Sequence, residues 1–175
     1  MIVAATPATT LTLDDLARRT SDELGALYRR GTAPTSMALL DGALEGRMLA
    51  VRHLERGPLA RALRRFSASE SFVWEGKSFQ SADDRLGAGI NRVRLPGLLG
   101  RQQLFPFVTT FEPSALDGEL TVVLDYDLPD NPPYIRKVRD ELRQVAPGLF
   151  LGPALWKTRS GPALALWFAL RDVGA

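Results

Sequence analysis

The chain has 175 residues, a formal net charge of +2, no cysteine and a single histidine, His53. Without cysteine there are no disulfides, thiolate nucleophiles or thiolate metal sites, and one histidine leaves little from which to build a histidine metal site. Acids are interleaved with the arginines, which argues against the clustered basic face of a nucleic-acid-binding protein.

Hydrophobic residues at 45% and charged residues at 24% are ordinary for a globular protein, and a chain of this length buries enough surface to fold without a staple. No run approaches the ~20 apolar residues of a membrane span. The opening Ile2-Val3-Ala4-Ala5 has neither the basic flank nor the long apolar stretch of a signal peptide. The expectation is a cytoplasmic domain over residues 13–175 behind a loose arm at 1–12. It should have no membrane span, no nucleic-acid partner, no transition metal and no covalently bound cofactor.

The first element is a helix over about 13–30. Thr12 reads as its N-cap, and Asp14 and Asp15 sit in the first turn, where carboxylates favour the positive end of the helix dipole. Leu13, Leu16, Ala17, Leu24, Leu27 and Tyr28 form one stripe, and Gly31 stops the helix. Residues 31–43 are loop-like, with a single turn around Ser36–Leu40. A strand follows over Leu44–Leu54. Gly57-Pro58 breaks the chain and starts a short helix carrying Leu59, Leu63 and Phe66.

Ser71–Gly76, Gly89–Leu95, Leu104–Phe111 and Leu120–Tyr126 read as strands. Pro106 implies an edge or a bulge in the third of these, and Asp117-Gly118 is a hairpin turn before the fourth. Asp130-Asn131-Pro132 resembles a helix start. Ile135, Val138, Leu142 and Val145 then recur at spacings of three and four, so a helix is predicted over 132–146, stopped by Pro147-Gly148. Leu149–Thr158 and Ala163–Arg171 close the chain as a hairpin around Ser160-Gly161-Pro162. The pattern therefore predicts an α+β chain: an antiparallel β-barrel or strongly curved sheet of about seven to eight strands, with peripheral helices. Closure is favoured because it removes sheet edges.

A leading helix, a run of antiparallel strands, a late inserted helix and a closing hairpin together resemble the calycin-like barrels, lipocalins among them. The lipocalin Gly-x-Trp signature has no counterpart in the first strand, which reads Leu44-Glu45-Gly46-Arg47-Met48; Trp74-Glu75-Gly76 carries the two residues in reverse order on a later strand. The resemblance implies an apolar cavity inside the barrel.

Candidate site residues follow from the strands. In Trp74-Glu75-Gly76-Lys77-Ser78-Phe79 two aromatics flank a glycine and a lysine. Trp74 and Phe79 are candidate pocket walls, and Lys77 is a point charge for an acidic head. The competing structural reading makes Trp74 core, Gly76 a bulge and Lys77 solvated. On Asn91-Arg92-Val93-Arg94, alternation sends Asn91 and Val93 to one face and the arginines to the other. An inward Arg92 would hold a carboxylate, whereas outward arginines would be plain surface.

Asp125 and Asp127 share a strand face, either as an acid–base pair or, more simply, in ion pairs with Arg136, Arg139 and Arg143. His53 ends the first strand, as a general base or as an idle exposed side chain. Phe107, Phe111, Tyr126 and Trp156 complete the candidate lining. Trp167 and Phe168 read as core.

The favoured functional expectation is binding of an apolar or amphipathic small molecule, lipid-like or polyketide-like, in a barrel cavity. Its ligand-binding residues would be Trp74, Lys77, Phe79, Arg92, Phe107, Phe111, Tyr126 and Trp156. The alternatives are a cofactor-free isomerase or cyclase in the same cavity, and an interaction module that docks a partner on the arginine-bearing 132–146 segment. A carrier calls for a roughly 300–1,000 Å³ pocket with few polar groups. An enzyme adds convergent polar groups with shifted pKa values.

Overall fold

The computed structural model describes residues 11–51 and 73–174. Eight antiparallel strands close into an up-and-down barrel in chain order. They are β1 (Gly42–Val51), β2 (Val73–Ser81), β3 (Gly87–Arg94), β4 (Arg101–Pro113), β5 (Leu120–Asp125), β6 (Val138–Ala146), β7 (Leu149–Thr158) and β8 (Gly161–Arg171). Closure is made by β1 and β8, with Glu45 opposite Arg171 and Met48 opposite Phe168. Every strand thus has two neighbours, and the edge problem of an open antiparallel sheet does not arise.

The expected helix over 13–30 is present as two helices, α1 (Leu13–Ala17) and α2 (Ser21–Arg30). Each begins with a capping box: Thr12 and Asp15 for α1, Thr20 and Glu23 for α2. The second box starts a new helix where the apolar stripe alone suggested a continuous one. Gly31 ends α2, its N–H bonding back to the carbonyls of Leu27 and Tyr28.

The expected helix at 132–146 is corrected. Only a 3₁₀ turn at Ile135–Lys137 is helical, and β6 occupies Val138–Ala146. Val138 and Leu142 are four apart, a spacing that serves a helix face and a strand face equally. What hid the alternation is polarity. Asp140 is buried inward between them, while Glu141 and Arg143 are fully buried on the outer face. Burial of charge on both faces removed the period-two signal on which a strand assignment depends.

Strand alternation divides the apolar side chains into two cores. The inner one fills the barrel with Leu44, Phe79, Phe107, Val122, Leu124, Leu142, Phe150 and Leu170. Met37 and Leu40, from the 3₁₀ turn at Met37–Leu40, join it. That turn is tied to the β2–β3 connection by Met37 N–H donating to the Asp84 carbonyl (3.0 Å) and Ser36 Oγ donating to Asp84 Oδ1 (2.9 Å). One end of the barrel is therefore plugged.

The outer core lies between the helices and β7–β8: Leu13, Leu16, Leu24 and Tyr28 pack on Leu149, Leu151, Trp167 and Ala169. A fully buried Glu141 anchors this layer. It accepts hydrogen bonds from Tyr28 Oη (2.9 Å), Ser114 Oγ (2.5 Å), the Ala115 N–H (2.8 Å) and Arg139 Nε (3.1 Å).

His53 and the expected short helix from Pro58 lie outside the described residues, as does most of the expected N-terminal arm. Among the described residues, no helix is long and apolar enough to cross a membrane.

Candidate functional site

The open half of the barrel holds a cavity of about 160 Å³ with a largely apolar wall. Its lining comes from the strand ends facing away from the Met37–Leu40 plug, together with Tyr134 and Ile135 of the β5–β6 connection. Met48, Val93, Phe105, Trp156 and Phe168 are among the apolar contributors. An eight-stranded barrel is just wide enough to be filled by side chains or to hold one small ligand. Here the plugged half is filled and the other half is not.

The position of the polar floor follows from an irregularity in β2. Strict alternation would put Trp74 and Lys77, three residues apart, on opposite faces. Between them the register shifts: Trp74 pairs with Val93, Gly76 with Arg92 and Lys77 with Asn91. The extra residue is a β-bulge at Gly76, whose φ of +127° is glycine territory. A Cβ on Gly76 would lie 2.1 Å from the Leu44 carbonyl oxygen, so β1 and β2 can close up only over a glycine. The bulge turns both Trp74 and Lys77 inward.

Lys77 is buried, with a side-chain exposure of 3%. Its Nζ donates to Asn91 Oδ1 (2.8 Å), Tyr126 Oη (2.5 Å) and Asp140 Oδ2 (2.9 Å). An ammonium has three N–H groups, so these three acceptors satisfy it completely. The aromatic rings of Trp74, Phe107, Tyr126 and Phe168 surround the charge at 5.1–5.4 Å.

The partners also bind one another. Tyr126 Oη donates to Asp140 Oδ2 (3.0 Å), Trp74 Nε1 to Asn91 Oδ1 (3.0 Å), and Asn91 Nδ2 to Tyr126 Oη (3.2 Å) and to the Phe105 carbonyl (3.1 Å). Phe105 lies at φ +60°, a left-handed conformation uncommon for a bulky residue, beside the register shift in the β3–β4 pairing. Non-glycine outliers of this kind collect at ligand sites. Pro106, which lacks an N–H, sits next to that irregularity, as its sequence position predicts.

Burial moves the titrations of this group. Desolvation holds the Lys77 amine below its ordinary value of 10.5, and the Asp140 carboxylate opposes that shift. The Tyr126 phenol is pushed well above 10, first by burial and then by the neighbouring Asp140 charge. The cavity therefore presents a neutral tyrosine and an amine easier to deprotonate than a solvated lysine.

Of the candidate residues, Trp74, Lys77, Tyr126 and Trp156 line the cavity. Phe79 and Phe107 lie in the inner core, their rings 5.4 Å apart, with Phe107 against Tyr126 at 5.2 Å. They close the cavity from beneath and do not line it. Phe111 packs against the same core and holds Arg85 over its ring at 6.0 Å.

Arg92 is corrected. Alternation turns Asn91 and Val93 inward, so the Arg92 side chain lies on the outer face, where it donates to the Leu44 carbonyl (2.6 Å). Asp125 and Asp127 are both in ion pairs, but of the three expected arginines Arg136 alone takes part: Arg136 pairs with Asp127 (2.6 Å) and Lys157 with Asp125 (2.7 Å), while Arg139 pairs with Glu112 and Glu141 and Arg143 with Asp117. Trp167 is a core residue of the outer layer, whereas Phe168 faces the cavity.

Sequence reasoning missed Asn91 and Asp140. The signal for Asn91 was the face opposite the arginines, and for Asp140 an acid alternating with Val138 and Leu142. Among the described residues, no group of three histidine, cysteine, aspartate or glutamate side chains is placed to hold a metal.

No family model matches the chain, and no curated protein matches it. It is similar in fold to the crystal structure of a protein from Thermomonospora curvata, with a TM-score of 0.50, 19% identity and 88% of each chain covered. At that identity the likeness is one of fold alone.

Proposed function

We propose that this protein binds a compact, mostly apolar small molecule in the open half of the barrel, with its polar end on the Lys77–Asp140–Tyr126–Asn91 cluster. One observation carries the reading. A buried ion pair sits at the floor of an apolar cavity, where apolar side chains of similar volume would be no worse for stability. Charge kept in such a place, with a few convergent polar groups under an apolar wall, is the usual composition of a ligand pocket.

The cavity of about 160 Å³ is below the range expected of a general carrier. It compares with the roughly 150 Å³ apolar cavity that accepts one benzene. A ring-sized group fits it, and any longer chain would extend through the mouth. This takes the resemblance to calycin-like carriers from architecture to use. Native mass spectrometry of the purified chain, with thermal shifts across a panel of small aromatic and aliphatic compounds, tests the reading. A co-purifying mass or a saturable shift supports it. A panel that gives neither, down to single-ring compounds, refutes it.

A second reading has its own support. Two groups with displaced titrations, Lys77 and Tyr126, converge on one apolar cavity. That arrangement suits a cofactor-free catalyst in which the Lys77 amine acts as a base or as a nucleophile toward a carbonyl. Borohydride reduction with a small aromatic aldehyde should then leave a stable adduct on Lys77, found by peptide mass mapping. No adduct at Lys77 removes the nucleophile form of this reading and leaves binding untouched.

A further inference from the structure

The polar cluster is satisfied in all respects but one, and the exception specifies what a ligand must bring. This inference rests on the binding reading above. Lys77 spends its three N–H donors on Asn91, Tyr126 and Asp140. Tyr126 spends its single O–H on Asp140 Oδ2, and Trp74 spends its N–H on Asn91. The donors of these residues are thus committed to one another, and Asp140 Oδ2 receives two hydrogen bonds.

Oδ1 of the same carboxylate receives none among the described residues, although it is buried. Asp140 is 4% exposed and belongs to the cavity wall, but its Oδ1 has no free surface of its own, so a ligand's donor reaches it by displacing the side chains packed over it. A buried carboxylate oxygen without a donor carries the full cost of its desolvation. The unmet requirement of this site is therefore a hydrogen-bond donor. That reverses the expectation that Lys77 would receive an acidic head.

We infer that the cavity selects a neutral, ring-sized molecule carrying a hydroxyl or N–H donor, of which a phenol is the simplest, and that Asp140 Oδ1 is the atom that selects it. The charge count excludes the two ionic classes. Lys77 and Asp140 already neutralise each other at 2.9 Å. An anionic ligand would bring a like charge to Oδ1 and find no free donor on Lys77. A cationic ligand would add an unbalanced charge to an apolar pocket. A neutral donor completes the carboxylate and changes no charge. Its ring would meet the aromatic wall of Trp74, Phe105, Trp156 and Phe168.

The test uses the full chain and four probes of nearly equal size: phenol, toluene, benzoate and benzylammonium, with affinities from ligand-observed NMR titration. Phenol and toluene differ by a hydroxyl against a methyl. Phenol should bind at least about tenfold more tightly, as a hydrogen bond to a charged acceptor implies, and should outrank both ions. Equal affinities for phenol and toluene overturn the donor assignment while leaving the cavity a binding site. Tighter binding of benzoate or benzylammonium than of phenol overturns the neutrality. If none of the four binds, the binding reading fails and this inference fails with it.

Asp140→Asn supplies an independent readout wherever it folds. Its carbonyl oxygen can replace Oδ2 toward Lys77 and Tyr126, which leaves an amide donor where Oδ1 stood. That amide can still meet the phenol oxygen as a donor but no longer offers a charged acceptor, so the phenol-to-toluene ratio should fall below its wild-type value. A ratio unchanged in Asp140→Asn overturns the role given to that oxygen. Should the variant fail to fold, the comparison of phenol with toluene on the wild-type chain decides the matter alone.

Discussion

Replacing Lys77 with methionine separates a buried ion pair kept for a site from one kept for stability. The substitution preserves most of the side-chain volume and removes three hydrogen bonds and one charge. The loss is not shared equally. Asn91 Oδ1 still accepts from Trp74 Nε1 at 3.0 Å, and Tyr126 still donates to Asp140 at 3.0 Å. Asp140 is left as a buried carboxylate with no counterion and one hydrogen bond. Breaking a buried pair in this way costs about 3–5 kcal/mol.

Lys77→Met/Asp140→Leu removes the stranded charge as well. Replacement of a buried pair by apolar residues is typically neutral or gains about 1–4 kcal/mol. Against that, the Tyr126 hydroxyl loses its acceptor, which costs about 1–3 kcal/mol. The double variant should therefore lie within about 2 kcal/mol of wild type and be clearly more stable than Lys77→Met. Urea unfolding with linear extrapolation, at constant m value, measures all three. A Lys77→Met penalty below about 1 kcal/mol, or a double variant no more stable than the single, would refute the reasoning.

Three further expectations follow from the same structure. Glu141→Leu strands the Ala115 N–H and removes the acceptor of Ser114, while Tyr28 Oη keeps Thr121 Oγ1 (2.9 Å); it should cost at least about 2 kcal/mol and raise amide exchange in α2 and at 114–116, and a loss under about 1 kcal/mol contradicts the anchoring role given to Glu141. Gly152→Ala places a Cβ 1.9 Å from the Glu141 backbone carbonyl; separating β6 from β7 should cost at least the roughly 1–3 kcal/mol of an overpacked core, and an unchanged melting temperature would contradict that. The Lys77 amine is held below 10.5 by burial, so between its folded value and 10.5 the unfolded chain binds a proton that the folded chain does not, and stability rises with pH through that window. The gap between wild type and Lys77→Met in urea unfolding should widen from pH 7 to pH 10, and a flat or narrowing gap contradicts it. Tyr126 works in the opposite sense: its raised pKa gives a contribution that is complete below pH 10 and is lost only as pH rises above it.

What the sequence made legible was the barrel and about half of the site. The strands over 73–126 and 149–171 carry aromatic and β-branched residues between turn signals, and a strand periodicity is visible there without tertiary information. Trp74 and Lys77 were recognisable as an unusual pair. Their common direction was not, because it depends on a bulge that appears only when Gly76 meets β1 and β3. On β3, alternation sorted Asn91 from Arg92 correctly but did not say which of the two faces points inward. The asparagine faces inward because its amide can give and take several hydrogen bonds with no charge to neutralise.

Asp140 was hidden for a stronger reason. On β6 one carboxylate is buried inside the barrel against Lys77 and the next residue, Glu141, is buried outside against Tyr28 and Ser114. Each has a distant partner that no local pattern reveals: Lys77 lies 63 residues from Asp140 in sequence and Tyr28 lies 113 from Glu141. Arg143 is likewise covered, its guanidinium 4.5 Å over the Tyr28 ring and paired with Asp117 at 2.7 Å. A segment with buried charge on both faces has no hydrophobic period to read.

The chain has three tryptophans, and the fold sorts them by compartment. Trp74 and Trp156 line the cavity, while Trp167 packs outside the barrel, its ring 5.7 Å from Tyr28 and its N–H on Ser21 (3.0 Å). Indole N–H signals of ¹⁵N-labelled protein, assigned by single Trp→Phe variants and followed during titration with phenol, test the binding claim directly. The Trp74 and Trp156 signals should shift together and saturate with a single affinity, while Trp167 stays in place. Saturable shifts confined to Trp167, or none at any of the three up to the solubility limit, would contradict a ligand site inside the barrel.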